Sequence, residues 1–177
     1  MPKYEITEET RLYLVGFRID AEREELYDFY TLYIDGDQAI DVDGFPIIFF
    51  DVKHAEKALR LSNCGCGHLP LPSGDFADDD FAYMDIAQAV HDLMAEDKTD
   101  NSNIVSCLNI ILDFLVFLPE ERVHQEYKRL MRNAANHFTF RYEIKEYFEA
   151  SGINRIELIQ AMEWAVGATL LWARFVY

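Results

Sequence analysis

The pattern of apolar residues changes along this chain from short alternating segments to long helical ones. Residues 11–50 hold short aromatic and β-branched segments separated by turn-forming residues, which is typical of antiparallel strands. Residues 81–177 hold longer segments whose apolar residues recur every three or four positions, which is typical of helices. The sequence therefore predicts an α+β fold, with an N-terminal antiparallel β-meander of three or four strands packed with a C-terminal bundle of about five helices.

The meander is predicted from its strands and from the turns that join them. Arg11–Ile19 is apolar on both alternating sides, which indicates a strand covered on two faces, and Asp28–Ile34 is expected to pair with it as a hairpin. Asp43-Gly44 lies between two further short segments and is suited to a two-residue type I′ turn, because both residues accept positive φ. Asp51 is expected to cap a helix that follows the last strand.

The C-terminal part is predicted to be helical. Acidic residues before the first helix of this part suit the dipole of that helix. Pro119 is expected to open a helix, and Gly152 is expected to end one in the left-handed conformation. The predicted helices are Phe81–Glu96, Asn103–Leu118, Pro119–Ala135, Phe140–Ala150 and Asn154–Phe175.

Five glycines and prolines interrupt the stretch between these two parts, so it is predicted to be a long loop. They are Gly65, Gly67, Pro70, Pro72 and Gly74. The length of the chain fits a single domain, 1–177, and the loop subdivides it into a β-rich acidic part, 1–62, the loop itself, 63–80, and a helical part, 81–177.

Negative charge is concentrated in the first part of the chain. Residues 1–100 contain 23 Asp and Glu against 8 Lys and Arg, whereas residues 101–177 contain 9 against 8. Such a field attracts cationic surfaces and repels nucleic acid, and Lys128, Arg129 and Arg132 form only a modest basic group. We therefore expect a basic protein partner and no nucleic-acid binding.

The carboxylates expected to contact this partner lie in the predicted turns and in the long loop. They are Asp35, Asp37, Asp41, Asp43, Asp75, Asp78, Asp79 and Asp80. In charge and size the chain resembles the antitoxin-like immunity proteins that block nuclease toxins, in which complementary charge gives fast and specific association. The expected function is thus that of a non-enzymatic binding protein, and the resemblance implies an inhibitor of a toxin.

The densest group of metal-ligating residue types is Cys64-Gly-Cys66-Gly-His68 in the long loop. Structural zinc needs four converging ligands, and paired cysteines usually have two residues between them, whereas here there is one. No resident cofactor is expected, and zinc bound by Cys64, Cys66 and His68 is the alternative. Cys107 is expected to be a small apolar residue inside a helix.

The alternative function is that of a metal-dependent hydrolase, built on the cysteine loop or on His91-Asp92. Those two residues resemble the histidine-aspartate pair of HD-type metal phosphohydrolases, and the alternative for His91 is a half-buried histidine with one hydrogen bond. The sequence contains no nucleophile elbow, P-loop, dinucleotide-binding fingerprint or metalloprotease helix motif, which disfavours two common enzyme classes without excluding them.

Cellular location is predicted from features that the sequence lacks, and oligomeric state is predicted from one helix. The chain starts without a basic and apolar leader, and its longest uncharged stretches are shorter than the roughly 20 residues that span a bilayer. With three cysteines in no disulfide pattern, we expect a cytoplasmic protein without membrane contact. A homo-oligomer joined through the helix that carries Trp164 and Trp172 is a further hypothesis.

Overall fold

The computed structural model describes residues 6–22, 27–35, 38–62, 64–75, 79–95, 100–141 and 143–177. Of these residues about 51% are helical and 19% are in strands, which confirms the predicted α+β fold. The chain divides into two compact units. The first unit is Met1–Met84 with Trp172–Tyr177, and the second unit is Asp85–Leu171.

The first unit contains the predicted hairpin. Strands β1 (Leu12–Arg18) and β2 (Phe29–Ile34) pair antiparallel, with Leu12 opposite Ile34 and Phe17 opposite Phe29. Most residues of both strands are buried on both faces, as the uninterrupted apolar pattern of β1 predicts. The two rings at the far end of the hairpin, Phe17 and Phe29, stack with their centroids 4.8 Å apart.

The predicted turn at Asp43-Gly44 is confirmed. The short strands β3 (Gln38–Ala39) and β4 (Asp41–Val42) lead through Asp43-Gly44 into β5 (Phe45–Phe49). Asp43 and Gly44 have φ angles of +54° and +83°, which is the conformation of a type I′ turn. Strand β3 pairs with β2, β4 pairs with β5, and β5 also pairs with β2, so this part is the expected meander.

The structure adds two strands where helix was predicted. Strand β6 (Phe81–Asp85) lies beside β1, where the Leu14 amide donates to the Asp80 carbonyl at 2.9 Å. Strand β7 (Arg174–Val176) pairs in parallel with β5, so the last helix ends at Trp172 and its predicted extension to Phe175 is wrong. Both strands are stabilised by pairing with residues distant in sequence, which overrides the local helical pattern.

The absence of a side chain at Gly16 explains how β6 packs against the hairpin. A Cβ atom added at Gly16 would lie 2.9 Å from the ring of Tyr27, so the glycine makes room for that ring on the strand. The Tyr27 ring in turn contacts Phe81 and Tyr83 of β6, with centroid distances of 5.6 and 6.0 Å. A glycine in β1 therefore lets an aromatic cluster cover the β6 side of the sheet.

The strands are followed by the predicted short helix and long loop. Asp51 caps a 3-10 turn by accepting from the Lys53 amide at 3.0 Å, and helix α1 (Ala55–Leu61) continues from it. Ala58 and Leu59 of α1 are buried in the core of the first unit, together with apolar residues of β1, β2 and β5. In the described part of 62–80 no residue belongs to a helix or strand, as predicted.

The second unit consists of helices in the part of it that the structure describes. They are α2 (Ile86–Met94), α3 (Ser102–Phe114), α4 (Gln125–Phe140), α5 (Ile144–Ser151) and α6, which starts at Arg155. Pro119 precedes only a 3-10 turn, so the helix predicted to start there instead begins at Gln125. Gly152 ends α5 at φ +68°, as predicted, and Asn154, where the last helix was predicted to start, caps α6 by accepting from the Ile156 amide at 2.9 Å.

Candidate functional site

Two of the predicted contact residues lie at the same end of the sheet of the first unit. Asp35 directly follows β2 and lies beside Arg11, whose amide donates to its Oδ1 at 2.7 Å. Strand β5 runs antiparallel to β2, with Phe49 opposite Tyr30, so the turn at Asp43 that precedes β5 lies toward the end where β2 finishes. Asp35 and Asp43 are both exposed.

The acids that precede β6 reach the same end of the sheet. The Asp80 carbonyl accepts from the Leu14 amide, and its Oδ1 lies 3.9 Å from the Arg11 guanidinium. Asp79 is exposed beside it. We call the set Asp35, Asp43, Asp79 and Asp80 the acidic end. It joins turns that are distant in sequence, because strand pairing aligns the ends of β1, β2 and β5.

The other predicted contact residues differ in their surroundings. Asp41 is only 6% exposed, and its Oδ1 accepts from the Gly44 amide at 2.9 Å, so it stabilises the turn that carries Asp43. Asp75 is exposed in the long loop. Asp37 and Asp78 lie outside the described residues.

The two structural units share the negative charge more evenly than the two sequence segments do. The first unit contains 18 Asp and Glu against 8 Lys and Arg, a net charge of −10, and the second contains 14 against 8, a net charge of −6. The difference arises because the acids of residues 85–100 belong to the helical unit. The first unit therefore differs from the second both in its larger net negative charge and in the grouping of four of its carboxylates at the acidic end.

The cysteine loop forms part of the core of the first unit. Cys64 and Cys66 are 2% and 0% exposed and pack in the same cluster as Leu14 and Ile34, whereas His68 is exposed. The Cys66 amide donates to Cys64 Sγ at 3.3 Å, and Cys66 Sγ donates to the Cys64 carbonyl at 3.6 Å. These contacts are those of two thiols packed in an apolar core.

Burial also controls the ionisation of the thiols. Burial, followed by the hydrogen bond and charge of Cys64 and by the charge of Asp35, raises the pKa of Cys66 to about 12. Burial and, to a smaller extent, the charge of Asp85 raise the pKa of Cys107 to about 12. Because zinc binds thiolates, a zinc ion would have to displace the protons of these thiols. Among the described residues no group of three or more His, Cys, Asp and Glu side chains is arranged to hold a metal ion.

We expect none of the three cysteines to react with iodoacetamide in the folded chain at about pH 8, because all three thiols are buried. Mass spectrometry of the alkylated protein measures this, and the same chain unfolded in guanidinium is the control, in which all three should react. Rapid modification of Cys64 or Cys66 in the folded protein, or protection that disappears when a chelator is added, would contradict the core assignment.

The raised thiol pKa values also predict how stability changes at alkaline pH. In the unfolded chain Cys66 and Cys107 lose their protons near pH 9.0, whereas in the folded chain they lose them at a pH of about 12. The unfolded state therefore binds fewer protons in this interval, and the free energy of unfolding decreases as pH rises through it. Urea midpoints of the wild type and of Cys107→Ala measure the effect, which should be smaller in the variant.

His91 and Asp92 occupy different environments in α2. His91 is exposed, whereas Asp92 is 4% exposed and accepts from Gln88 Nε2 at 2.7 Å. His91 Nδ1 lies 3.6 Å from Asp92 Oδ1. The alternative of a half-buried His91 is therefore wrong, and the pair combines an exposed imidazole with a buried carboxylate that Gln88 contacts.

The two tryptophans make internal contacts within their units. The Trp172 ring lies 4.9 Å from the ring of Phe45, and the Trp164 ring makes edge contacts with His124 and Tyr127 at 5.7 and 5.9 Å. Both rings are therefore already packed within the chain, and association through this helix stays a hypothesis.

The structure also contains a cavity that no pattern in the sequence predicts. It lies in the second unit and has a volume of about 480 Å³. Its walls are Glu126, Tyr127, Arg129, Leu130, Asn133, Ile153 and Glu157. Glu126, Arg129, Leu130 and Asn133 are three or four residues apart in α4, which places them on one face of the helix. The cavity forms because Ile153 and Glu157 lie opposite this face.

Comparison of the chain with known protein families, curated proteins and solved structures found no match. Its function is therefore inferred from its own residues. Among the helices that the structure describes, none has the length and apolar character needed to cross a bilayer.

Proposed function

We propose that this chain is a non-enzymatic binding protein whose acidic end docks a basic protein partner, and that it acts as an immunity or antitoxin-like inhibitor of that partner. The observation that carries the proposal is the convergence of Asp35, Asp43 and Asp79 at one end of the sheet. All three are exposed, and they come from three separate connections of the fold.

Physical chemistry favours a binding role for such an arrangement. Carboxylates at one end of a domain add their potentials, and a basic surface that approaches within about 10 Å is attracted before the two surfaces touch. Attraction of this kind raises association rates by roughly 10- to 1,000-fold and discriminates against acidic surfaces. An inhibitor that must capture a toxic enzyme quickly benefits most from a fast association step.

The surroundings of each carboxylate suggest how it contributes. Asp43 and Asp79 are exposed, and Asp35 accepts one backbone hydrogen bond on Oδ1, which leaves its second oxygen for a partner. Asp80 lies 3.9 Å from the Arg11 guanidinium, so its removal would also take away a counter-charge of that cation. Asp41 belongs to the turn and is excluded from the contact set because its carboxylate is buried.

The test is a charge-neutralising triple variant, Asp35→Asn, Asp43→Asn and Asp79→Asn. Asparagine keeps the acceptor that binds the Arg11 amide and tolerates the positive φ of Asp43, so the fold should persist. The matched control, Glu121→Gln, Glu143→Gln and Glu163→Gln, removes the same charge from exposed positions of the second unit. Circular dichroism checks that both variants are folded.

The partner is first captured from the native host with the wild-type chain and identified, and the binary complex is then reconstituted from purified proteins. Stopped-flow association should be slowed about tenfold or more by the acidic-end variant and less than about twofold by the control, with a steep salt dependence only in the wild type and the control. A captured partner without net positive charge, or equal slowing by both variants, would reject the proposal.

The inhibitory role has a separate readout. If the captured partner is toxic when expressed alone, coexpression of the wild-type chain should restore growth, and the acidic-end variant should restore it less well than the control variant. A partner that is harmless to its host would support binding but reject the antitoxin-like role.

A further inference from the structure

We propose that the cavity of the second unit binds a small zwitterion, the chemical class of free amino acids and short peptides, with its carboxylate on Arg129 and its ammonium group between Glu126 and Glu157. The cavity has a volume of about 480 Å³, which lies within the range of roughly 300 to 1,000 Å³ typical of small-molecule sites. It lies on different residues from the acidic end, so this proposal is independent of the proposed function.

Charges of both signs line the cavity without neutralising one another. Arg129 comes one helical turn after Glu126 in α4, and Glu157 lies in the first turn of α6. In the part of the chain that the structure describes, neither carboxylate lies within 4.0 Å of the guanidinium. The charged groups of the walls are thus available to a ligand that supplies the complementary charges itself.

This combination of charges selects against simpler ligands. An anion such as phosphate would be attracted by Arg129 but repelled by two carboxylates, and a simple amine would be attracted by the carboxylates but would leave the charge of Arg129 without a counter-charge. A ligand with separated ammonium and carboxylate groups satisfies both signs at once. The Asn133 amide provides further hydrogen-bonding atoms, and Leu130 and Ile153 provide apolar surface for the carbon skeleton of the ligand.

The wall formed by Tyr127 is held in place before any ligand binds. Its ring stacks on His124 with a centroid distance of 3.9 Å and an interplanar angle of 13°, and its edge contacts Trp164. The Tyr127 amide also donates to His124 Nδ1 at 3.3 Å, which caps α4. A wall that is already ordered loses little conformational entropy on binding, which favours affinity for a small ligand.

The opposite wall is ordered by the turn between α5 and α6. The Ile153 amide donates to Ser151 Oγ at 3.3 Å, and the Glu157 amide donates to the Asn154 carbonyl at 3.0 Å. These local bonds fix the backbone that carries Ile153 and Glu157. The cavity is therefore a formed feature of α4, the turn and the first turn of α6.

The experiment titrates the full chain with ω-amino acids of increasing length, followed by calorimetry or by the NMR shifts of α4. The matched ligands are the monoamine and the monocarboxylate of the same length, each of which lacks one charge. We expect saturable binding of at least one amino acid with a Kd of about 1 mM, and binding about tenfold weaker or worse for both single-charge ligands.

The variants assign the contacts. Arg129→Gln and the double variant Glu126→Gln with Glu157→Gln should each weaken binding of the amino acid about tenfold, and the exposed control Arg132→Gln, on the same helix, should change it less than about twofold. No saturable binding up to about 10 mM, equal binding of the monoamine, or full binding by Arg129→Gln would overturn the proposal.

Discussion

Phe138→Ala is expected to lower the free energy of unfolding of the second unit by about 3 to 5 kcal/mol. Phe138 is 1% exposed and lies in α4, where its ring makes edge contacts with Tyr147 and Phe148 of α5 at 5.0 and 6.5 Å. Truncation removes both the buried apolar area and these ring contacts, and it leaves a cavity between the two helices because a rigid core relaxes only partly.

A matched control lies two residues further along the same helix. Phe140 is 82% exposed, so Phe140→Ala removes a ring of the same size without creating a cavity, and its expected effect is within about 0.5 kcal/mol. Urea denaturation measures both variants. Similar destabilisation by the two substitutions, or a loss below about 1 kcal/mol for Phe138→Ala, would show that this ring is not a core residue of the helical unit.

Each structural unit contains one tryptophan, which makes its unfolding separately observable. Trp164 belongs to the second unit and Trp172 to the first, and the chain has no other tryptophan. A Trp172→Phe background therefore leaves fluorescence that reports the helical unit alone. This background matters because two units that unfold at different urea concentrations do not give a single two-state transition.

Arg155→Met is expected to lower the free energy of unfolding of the second unit by about 2 to 4 kcal/mol. Arg155 donates through one guanidinium nitrogen to the carbonyls of Leu93 and Ala95, at 2.6 and 3.1 Å, which lie at the C-terminal end of α2. The guanidinium carbon also lies 4.9 Å from the centroid of the Phe148 ring. One cation thus satisfies two carbonyls that the helix leaves unpaired and interacts favourably with its dipole.

Methionine keeps most of the apolar stem of Arg155, so the variant removes mainly the charge and the hydrogen bonds. Arg132→Met on the exposed face of α4 is the control, with an expected effect within about 0.5 kcal/mol. Arg155→Lys should be intermediate, because an ammonium group donates to the carbonyls without the planar fork of arginine. Equal stability of Arg155→Met and the wild type would show that water replaces the guanidinium at the end of α2.

Local signals in the sequence were sufficient for the turns and caps. Asp43-Gly44 forms its type I′ turn and Gly152 ends α5, because positive φ is a property of a single residue and its neighbours. Asp51 and Asn154 cap their helices for the same reason, since each accepts from an amide two residues away. These features need no tertiary contact to be recognised.

Strands β6 and β7 show where local signals fail. The apolar spacing of Phe81–Asp85 and Arg174–Val176 also fits a helix, and each segment becomes a strand by bonding to a partner far away in the chain. The parallel partner of β7 is β5, more than a hundred residues earlier. Pairing energies of this kind depend on which edges of the sheet are available, which the periodicity of one segment does not contain.

The sequence by itself determined the α+β class, the turns and caps, and an excess of acidic residues near the start of the chain. Only the tertiary structure decided that Cys64 and Cys66 are core residues, that Asp41 is buried while Asp35, Asp43 and Asp79 share one end of the sheet, and that α4 faces a cavity. The reason is physical. The φ preference and the formal charge are properties of individual residues, whereas burial, the pKa of a thiol and the clustering of charges depend on which distant segments the fold brings together.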